Sequence, residues 1–213
     1  MKFIDEKLDE YVCQNTTEEN DILYRLNRET YMKVLQPRML SGHFQGRALS
    51  MFSKMIKPLR ILEIGTYTGY SALCLAEGLT KKGELHTIDN NEEQQELVQS
   101  FIDKSDYKSQ ITQHIGNALD IIPTLKEDWD IVFIDADKEN YLNYYRMLIN
   151  NLKSGSYVIA DNVLWSGKVL DKPESLDKET RVLVDYNNFI QKDSRVENVL
   201  FPIRDGLSIA RVI

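Results

Sequence analysis

Residues 60–79 read RILEIGTYTGYSALCLAEGL. Ile61 to Ile64 form a short apolar run of strand type, broken only by Glu63. A glycine-punctuated turn follows from Gly65 to Gly69. Tyr70 to Leu79 then repeats Leu73, Ala76 and Leu79 at helical spacing. Strand, glycine loop and helix together make the entry unit of a nucleotide-type site. Glycine lets the backbone approach a ligand, and a helix start presents free N–H groups and a partial positive charge. The spacing is G-x-x-x-G, which differs from the G-x-G-x-x-G of dinucleotide binders. An ordinary strand-to-helix turn of an α/β core reads the same way, so the loop alone does not name a ligand.

Outward from this unit the chain alternates strands and helices. GELHTID (83–89), ITQHIG (111–116), WDIVFID (129–135) and SYVIAD (156–161) read as further strands. Helices are expected over 91–104, 118–125 (shortened by Pro123), 138–152 and 180–191. The chain closes with VENVLFPI, an Arg204-Asp205-Gly206 turn and LSIARVI, the pattern of an antiparallel hairpin. The expected fold is therefore α/β: a Rossmann-like, doubly wound, mostly parallel seven-stranded sheet ending in an antiparallel β-hairpin. Before it, residues 1–36 read as acidic helices, with a capping-type pattern at Thr16-x-x-Glu19 preferred over Thr17 to Asn20. This N-terminal appendage fits either a substrate lid or dimer contact, or plain structural cover. PRMLSGHFQG (37–46) reads as a loop leading into a helix over 47–56, which Pro58 ends. One domain is expected over 1–213, with 37–213 as its cofactor- and metal-binding core.

Composition narrows the class. A chain of 213 residues, 42% hydrophobic and 28% charged, suits one well-buried soluble domain. A net charge of −7 argues against a broad nucleic-acid footprint. Cys13 and Cys74 form no C-x-x-C pair, so neither a disulfide framework nor a zinc site is expected. No apolar run has membrane-spanning length, and MKFIDEKLDEY is too charged for a signal peptide. A cytoplasmic protein without a membrane partner is the expectation.

In an open α/β sheet the ligand lies at the carboxyl ends of the strands. Asp89, Asp135 and Asp161 end three strands at that edge, with Glu63 one residue from the end of the first. Asp89 can accept hydrogen bonds from both hydroxyls of a ribose, or cap the following helix. Asp135 and Asp161 end consecutive strands, and two converging carboxylates call for a cation or a shared proton. Asn162 adds an amide oxygen. Two carboxylates, an amide oxygen and water suit Mg²⁺, with Mn²⁺ or Ca²⁺ as alternatives, unless the two acids merely cap helices. Lys138, three residues past Asp135, is a candidate base or a solvated surface lysine. His43, His86 and His114 lack metal-ligand spacing; His86 and His114 sit in strand patterns and read as structural, and His43 reads as structural in preference to lining a site. Tyr141, Tyr144 and Tyr145 read as helix packing, and Trp165 as a wall of the site.

LEIGTYTGYS, FIDADKENY and ADNVLWSGKV, in this order, closely resemble the cation-dependent O-methyltransferases of the caffeoyl-CoA and catechol O-methyltransferase family. The similarity covers roughly residues 37–213, and the FIDADK and ADN pair is its most specific part. The resemblance implies a class I S-adenosylmethionine-dependent fold. It places Glu63, Gly65 and Ser71 around the methionine part of the cofactor, Ser41 close to the cofactor from the loop before the helix, Asp89 at the ribose, Ala118 at the adenine after Gly116, and Asp135 at the cofactor edge. It makes Asp135, Asp161 and Asn162 the ligands of a divalent cation, with Lys138 as general base beside Asp135. It also implies a homodimer. The family's plant members carry a longer substrate-binding insertion, so specificity for a CoA ester does not follow.

The leading expectation is methyl transfer to a hydroxyl of a catechol-like phenolic small molecule. A tRNA wobble 5-hydroxyuridine O-methyltransferase is the alternative, kept open by basic clusters at 54–60 and 168–172. A non-catalytic nucleotide-binding protein is disfavoured by Asp135, Lys138, Asp161 and Asn162 standing together. A nicotinamide-dependent oxidoreductase lacks its third glycine.

Overall fold

In the computed structural model, residues 5–213 are described; Met1–Ile4, the first of the residues read as N-terminal helix, lie outside them. Two helices, α1 (Glu6–Gln14) and α2 (Asp21–Lys33), precede α3 (Gly42–Ile56). The alternating part runs β1 (Arg60–Ile64), α4 (Tyr70–Ala76), β2 (Glu84–Asp89), α5 (Gln95–Lys104), β3 (Ile111–Ile115), α6 (Ala118–Ile121), β4 (Ile131–Ile134), α7 (Tyr141–Ile149) and β5 (Tyr157–Ala160). After α8 (Lys178–Lys192), β6 (Val196–Phe201) and β7 (Leu207–Val212) close the chain.

The strands form one seven-stranded sheet in the order β3-β2-β1-β4-β5-β7-β6. Every pairing from β3 to β5 is parallel, whereas β7 runs antiparallel to both β5 and β6. The mostly parallel sheet and its C-terminal hairpin are as expected. Alternate side chains of the central strands divide between two cores. Leu62, Ile64, Val132 and Ile134 pack beneath α7 and α8, with Tyr145, Leu183 and Tyr186. Ile61, Ile131 and Phe133 pack on the other face with Leu23, Leu26, Leu49, Leu73 and Phe101 from α2 to α5. Burial on both faces explains why the strands read as continuous apolar runs. Leu23 and Leu26 are fully buried there, so α2 covers the core.

Three local expectations need correction. The stretch read as a loop through Gly46 is helical from Gly42 onward. Gly46 is there for packing: a Cβ would lie 2.5 Å from the Tyr70 ring and 2.9 Å from Cys74 Sγ, so its glycine lets α3 and α4 touch. The helix expected to reach Leu79 ends at Ala76, with all seven residues buried. The α2 N-cap is Asn20, whose side chain accepts from Leu23 N at 3.0 Å. Thr16 instead donates to Val12 O at 2.7 Å at the end of α1, and Glu19 accepts from Tyr70 OH at 2.5 Å.

Candidate active site

The sheet order sets the ends of β2, β1, β4 and β5 side by side. The loop after β1 lies against the end of β4: Gly65 has φ +100°, and a Cβ on it would collide with the Asp135 carbonyl. Along this edge runs a cleft of about 1370 Å³. Gly65, Tyr67, Asp89, Gly116, Ala118, Asp135, Lys138, Asp161, Asn162 and Trp165 all line it, whereas Ser41, Glu63 and Ser71 do not. Lys33 to Gln36, at the end of α2, also reach the cleft, so the N-terminal part serves both as cover and as wall.

At the β1–β2 end, Asp89 is tied to the glycine loop. Its Oδ2 accepts from Tyr67 N at 2.8 Å and its Oδ1 from Asn91 N at 2.9 Å. Asp89 does not cap α5; Asn91 caps the intervening 3-10 turn, Glu92–Gln94. Beneath the loop Glu63 is fully buried, and its Oε2 accepts from Thr87 Oγ1 at 2.5 Å. Its Oε1 has no hydrogen-bond partner. Burial pushes the Glu63 carboxyl up to about 8, the Ser71 and Thr87 hydroxyls pull it back, and Asp135 and Asp89 add to the rise. Ser41 is buried just before α3, its carbonyl accepting from the Arg204 guanidinium. Ala118 opens α6, where Asn117 Oδ1 accepts from Leu119 N at 3.0 Å.

At the β4–β5 end the acids and Lys138 come together. Lys138 Nζ donates to Asp135 Oδ1 at 3.3 Å, Asn162 Oδ1 at 2.8 Å, Ala136 O at 3.1 Å and Tyr141 OH at 2.6 Å. Tyr141, fully buried at the start of α7, donates in turn to Asp161 O at 3.0 Å. Asp161 is buried; its Oδ1 accepts from Asn162 N at 2.6 Å and its Oδ2 from Gln45 Nε2 at 2.5 Å. Burial and then the Asp135 charge push the Asp161 carboxyl well above the usual carboxylate range. The helix-cap reading of these acids fails, because neither the turn at Lys138–Asn140 nor that at Trp165–Leu170 has a side-chain cap.

The donor chemistry fits a hard divalent cation. Asp135 and the Asn162 amide oxygen hold the Lys138 ammonium, which already supplies positive charge at that point, and Asp161 lies near enough to feel that charge. No group of three or more His, Cys, Asp or Glu residues suited to a metal occurs among the described residues, so Asn162 would have to complete any such set.

His43 Nε2 meets the Thr17 carbonyl at 2.7 Å, and His86 stacks on His114 with Nδ1 to Nε2 at 2.9 Å, all structural roles. Trp165 borders the cleft with its ring 5.7 Å from Lys138 Nζ. Tyr144 and Tyr145 pack in the core, and Tyr144 OH also donates to Asp137 Oδ1 at 2.6 Å. Two site residues escape sequence reasoning. Tyr141 could be found from its position three residues after Lys138, but Gln45 sits in the stretch read as loop and carries no signal.

A family model described as O-methyltransferase matches residues 13–213, reaching further toward the N-terminus than the resemblance from residue 37. Caffeoyl-CoA O-methyltransferase 1 of Nicotiana tabacum is 36% identical over 186 residues, which cover 82% of this chain and 78% of its own. Among solved structures, an O-methyltransferase from Bacillus cereus in complex with SAH superposes with a TM-score of 0.88 at 27% identity, covering 97% of each chain. The O-methyltransferase TomG from Streptomyces achromogenes, involved in tomaymycin synthesis and bound to SAM, gives a TM-score of 0.87 at 28% identity, covering 97% of this chain and 96% of its own. Sheet order, glycine loop and matched length agree: the chain belongs to the O-methyltransferase family and is an S-adenosylmethionine-dependent O-methyltransferase.

Proposed function

We propose that the chain methylates a hydroxyl of a catechol-like small molecule and does so with a divalent cation, Mg²⁺ by donor preference. The observation that carries this reading is the meeting of Asp135, Asn162 and Lys138 beside the buried Asp161, in the same cleft as Asp89 and Ala118.

The cofactor seat would run from Gly65 at its methionine end, backed by the buried Ser41, Glu63 and Ser71, to Asp89 and Ala118 at its nucleoside end. Its best support is the orphaned Glu63 Oε1, a buried acceptor that an ammonium group would satisfy. Asp89 would receive the ribose hydroxyls. S-adenosylmethionine supplies an electrophilic methyl group on a sulfonium.

Asp135, Asp161 and Asn162 would hold the cation. When bound, it supplies Lewis acidity, which lowers the pKa of a coordinated hydroxyl. Lys138 Nζ, once its own ammonium proton has passed to solvent, is the group placed to take the proton of the acceptor hydroxyl, and the half-buried Asp135 and Asn162 orient that Nζ. Tyr141 holds Lys138 from below, and Trp165 offers an aromatic wall to a planar acceptor. The chain's contribution to rate is then mainly alignment of the two reactants.

The test incubates the protein with methyl-labelled cofactor and Mg²⁺, against a panel of catechols and against unmodified tRNA. Label in the catechols, lost in excess chelator, is expected. Full activity in chelator would remove the cation from the reading, and label in RNA alone would replace the acceptor.

A further inference from the structure

Gln45 occupies the first turn of α3 and is fully buried, yet it does not line the cleft. Its Nε2 donates to Asp161 Oδ2 at 2.5 Å, joining residues 116 apart in the chain. Its Oε1 has no partner. A buried amide with one end unpaired is destabilising compared with an apolar side chain of the same shape. One turn along the same helix, Leu49 fills an equally buried position with hydrocarbon. The polar group at 45 therefore needs a reason beyond packing.

Asp161 supplies it. The hydrogen bonds of Lys138 go to Asp135, Ala136, Tyr141 and Asn162, and the Asp161 carboxylate receives none of them. Its Oδ1 takes the backbone N–H of Asn162, which leaves Oδ2 to Gln45. An N–H donor on a carboxylate fixes the plane of the group, and a cation site needs its ligands held in one orientation.

We infer that Gln45 is a positioning residue for the cation site, holding the Asp161 carboxylate in the orientation in which it binds the metal. This rests on the reading that Asp135, Asp161 and Asn162 hold a divalent cation. Gln45 acts from outside the cleft and touches neither acceptor nor cofactor. Its effect should fall on cation affinity and spare binding of S-adenosylhomocysteine.

The test uses Mn²⁺ as the probe, titrated into the full chain with S-adenosylhomocysteine present and followed by the electron paramagnetic resonance of free Mn²⁺. Gln45→Met keeps the length and removes both polar ends. It should bind Mn²⁺ about 10–100-fold more weakly than the parent protein, with unchanged affinity for S-adenosylhomocysteine by calorimetry. Gln45→Asn, too short to reach Asp161, should show the same loss, and it decides the matter should the Met variant fail to fold. Leu49→Ala should lower Tm and leave the Mn²⁺ affinity alone. Parent-like Mn²⁺ affinity in the Gln45 variants overturns the inference, as does an equal loss in Leu49→Ala, which would make the effect structural. No Mn²⁺ binding by the parent protein overturns the cation reading itself and this inference with it.

Discussion

Glu63 combines full burial with an oxygen, Oε1, that has no hydrogen-bond partner, so its charge is expensive without a bound cofactor. The sign of the pH effect follows from the shift. In the folded chain the carboxyl titrates at about 8, against 4.5 for an unperturbed glutamate, so the folded state holds a proton that the unfolded chain releases. Its contribution to stability therefore falls as pH rises from about 4.5 to about 8. Glu63→Gln removes that titration. Without cofactor the variant should match the parent in Tm near the bottom of this window. At its top the variant should be the more stable by about 1 kcal/mol or more, about 2–4 °C in Tm at this chain length. The same change should weaken S-adenosylhomocysteine binding, because an amide cannot neutralise an ammonium. A Tm difference independent of pH would show that Glu63 is ionised in the folded protein, and unchanged ligand affinity would remove it from the cofactor seat.

At the scale of elements, what was legible depended on how local the cause is. Strand ends were legible because an apolar run stops at an acid: Asp89, Asp135 and Asp161 stand at or just past the ends of β2, β4 and β5. Helix starts were less so, since several polar residues compete for one cap and tertiary contacts choose among them. Glu19, the expected partner of Thr16, is taken by Tyr70 from α4, and the cap passes to Asn20. Likewise Gly46 reads as a loop glycine until Tyr70 and Cys74 are seen packed on it. The cap assignment has a direct consequence. Asn20→Ala should lower stability by about 1 kcal/mol in urea unfolding with an unchanged m-value. Thr17→Ala, whose hydroxyl caps nothing in α2, should fall within about 0.5 kcal/mol of the parent. A loss in Thr17→Ala as large as in Asn20→Ala would give the hydroxyl of Thr17, the second of the two expected patterns, a capping role.

The whole molecule separates its site into two ends along one sheet edge. Asp89 and the glycine loop belong to β2 and β1, Asp161 and Asn162 follow β5, and Asp135 after β4 stands between them. This division was readable from the strand-ending acids, whereas the hydrogen bonds that tie Asp161 to α3 and Asp89 to the Tyr67 amide join distant stretches that carry no mutual signature. A ligand that binds only the folded chain raises Tm by mass action, about 2.7 kcal/mol at 100 times its Kd, or about 5–10 °C for a chain of this length. S-adenosylhomocysteine should give a shift of that size. Asp89→Ala should need a much higher ligand concentration for the same shift, as expected when a carboxylate accepting from ribose hydroxyls is lost. Asp161→Ala should keep the full shift while losing methyl transfer, as the proposed cation site requires of its carboxylate. Should Asp161→Ala lose the thermal shift as completely as Asp89→Ala, the two ends would form one cooperative site, and the assignment of cofactor to β1–β2 and cation to β4–β5 would fall.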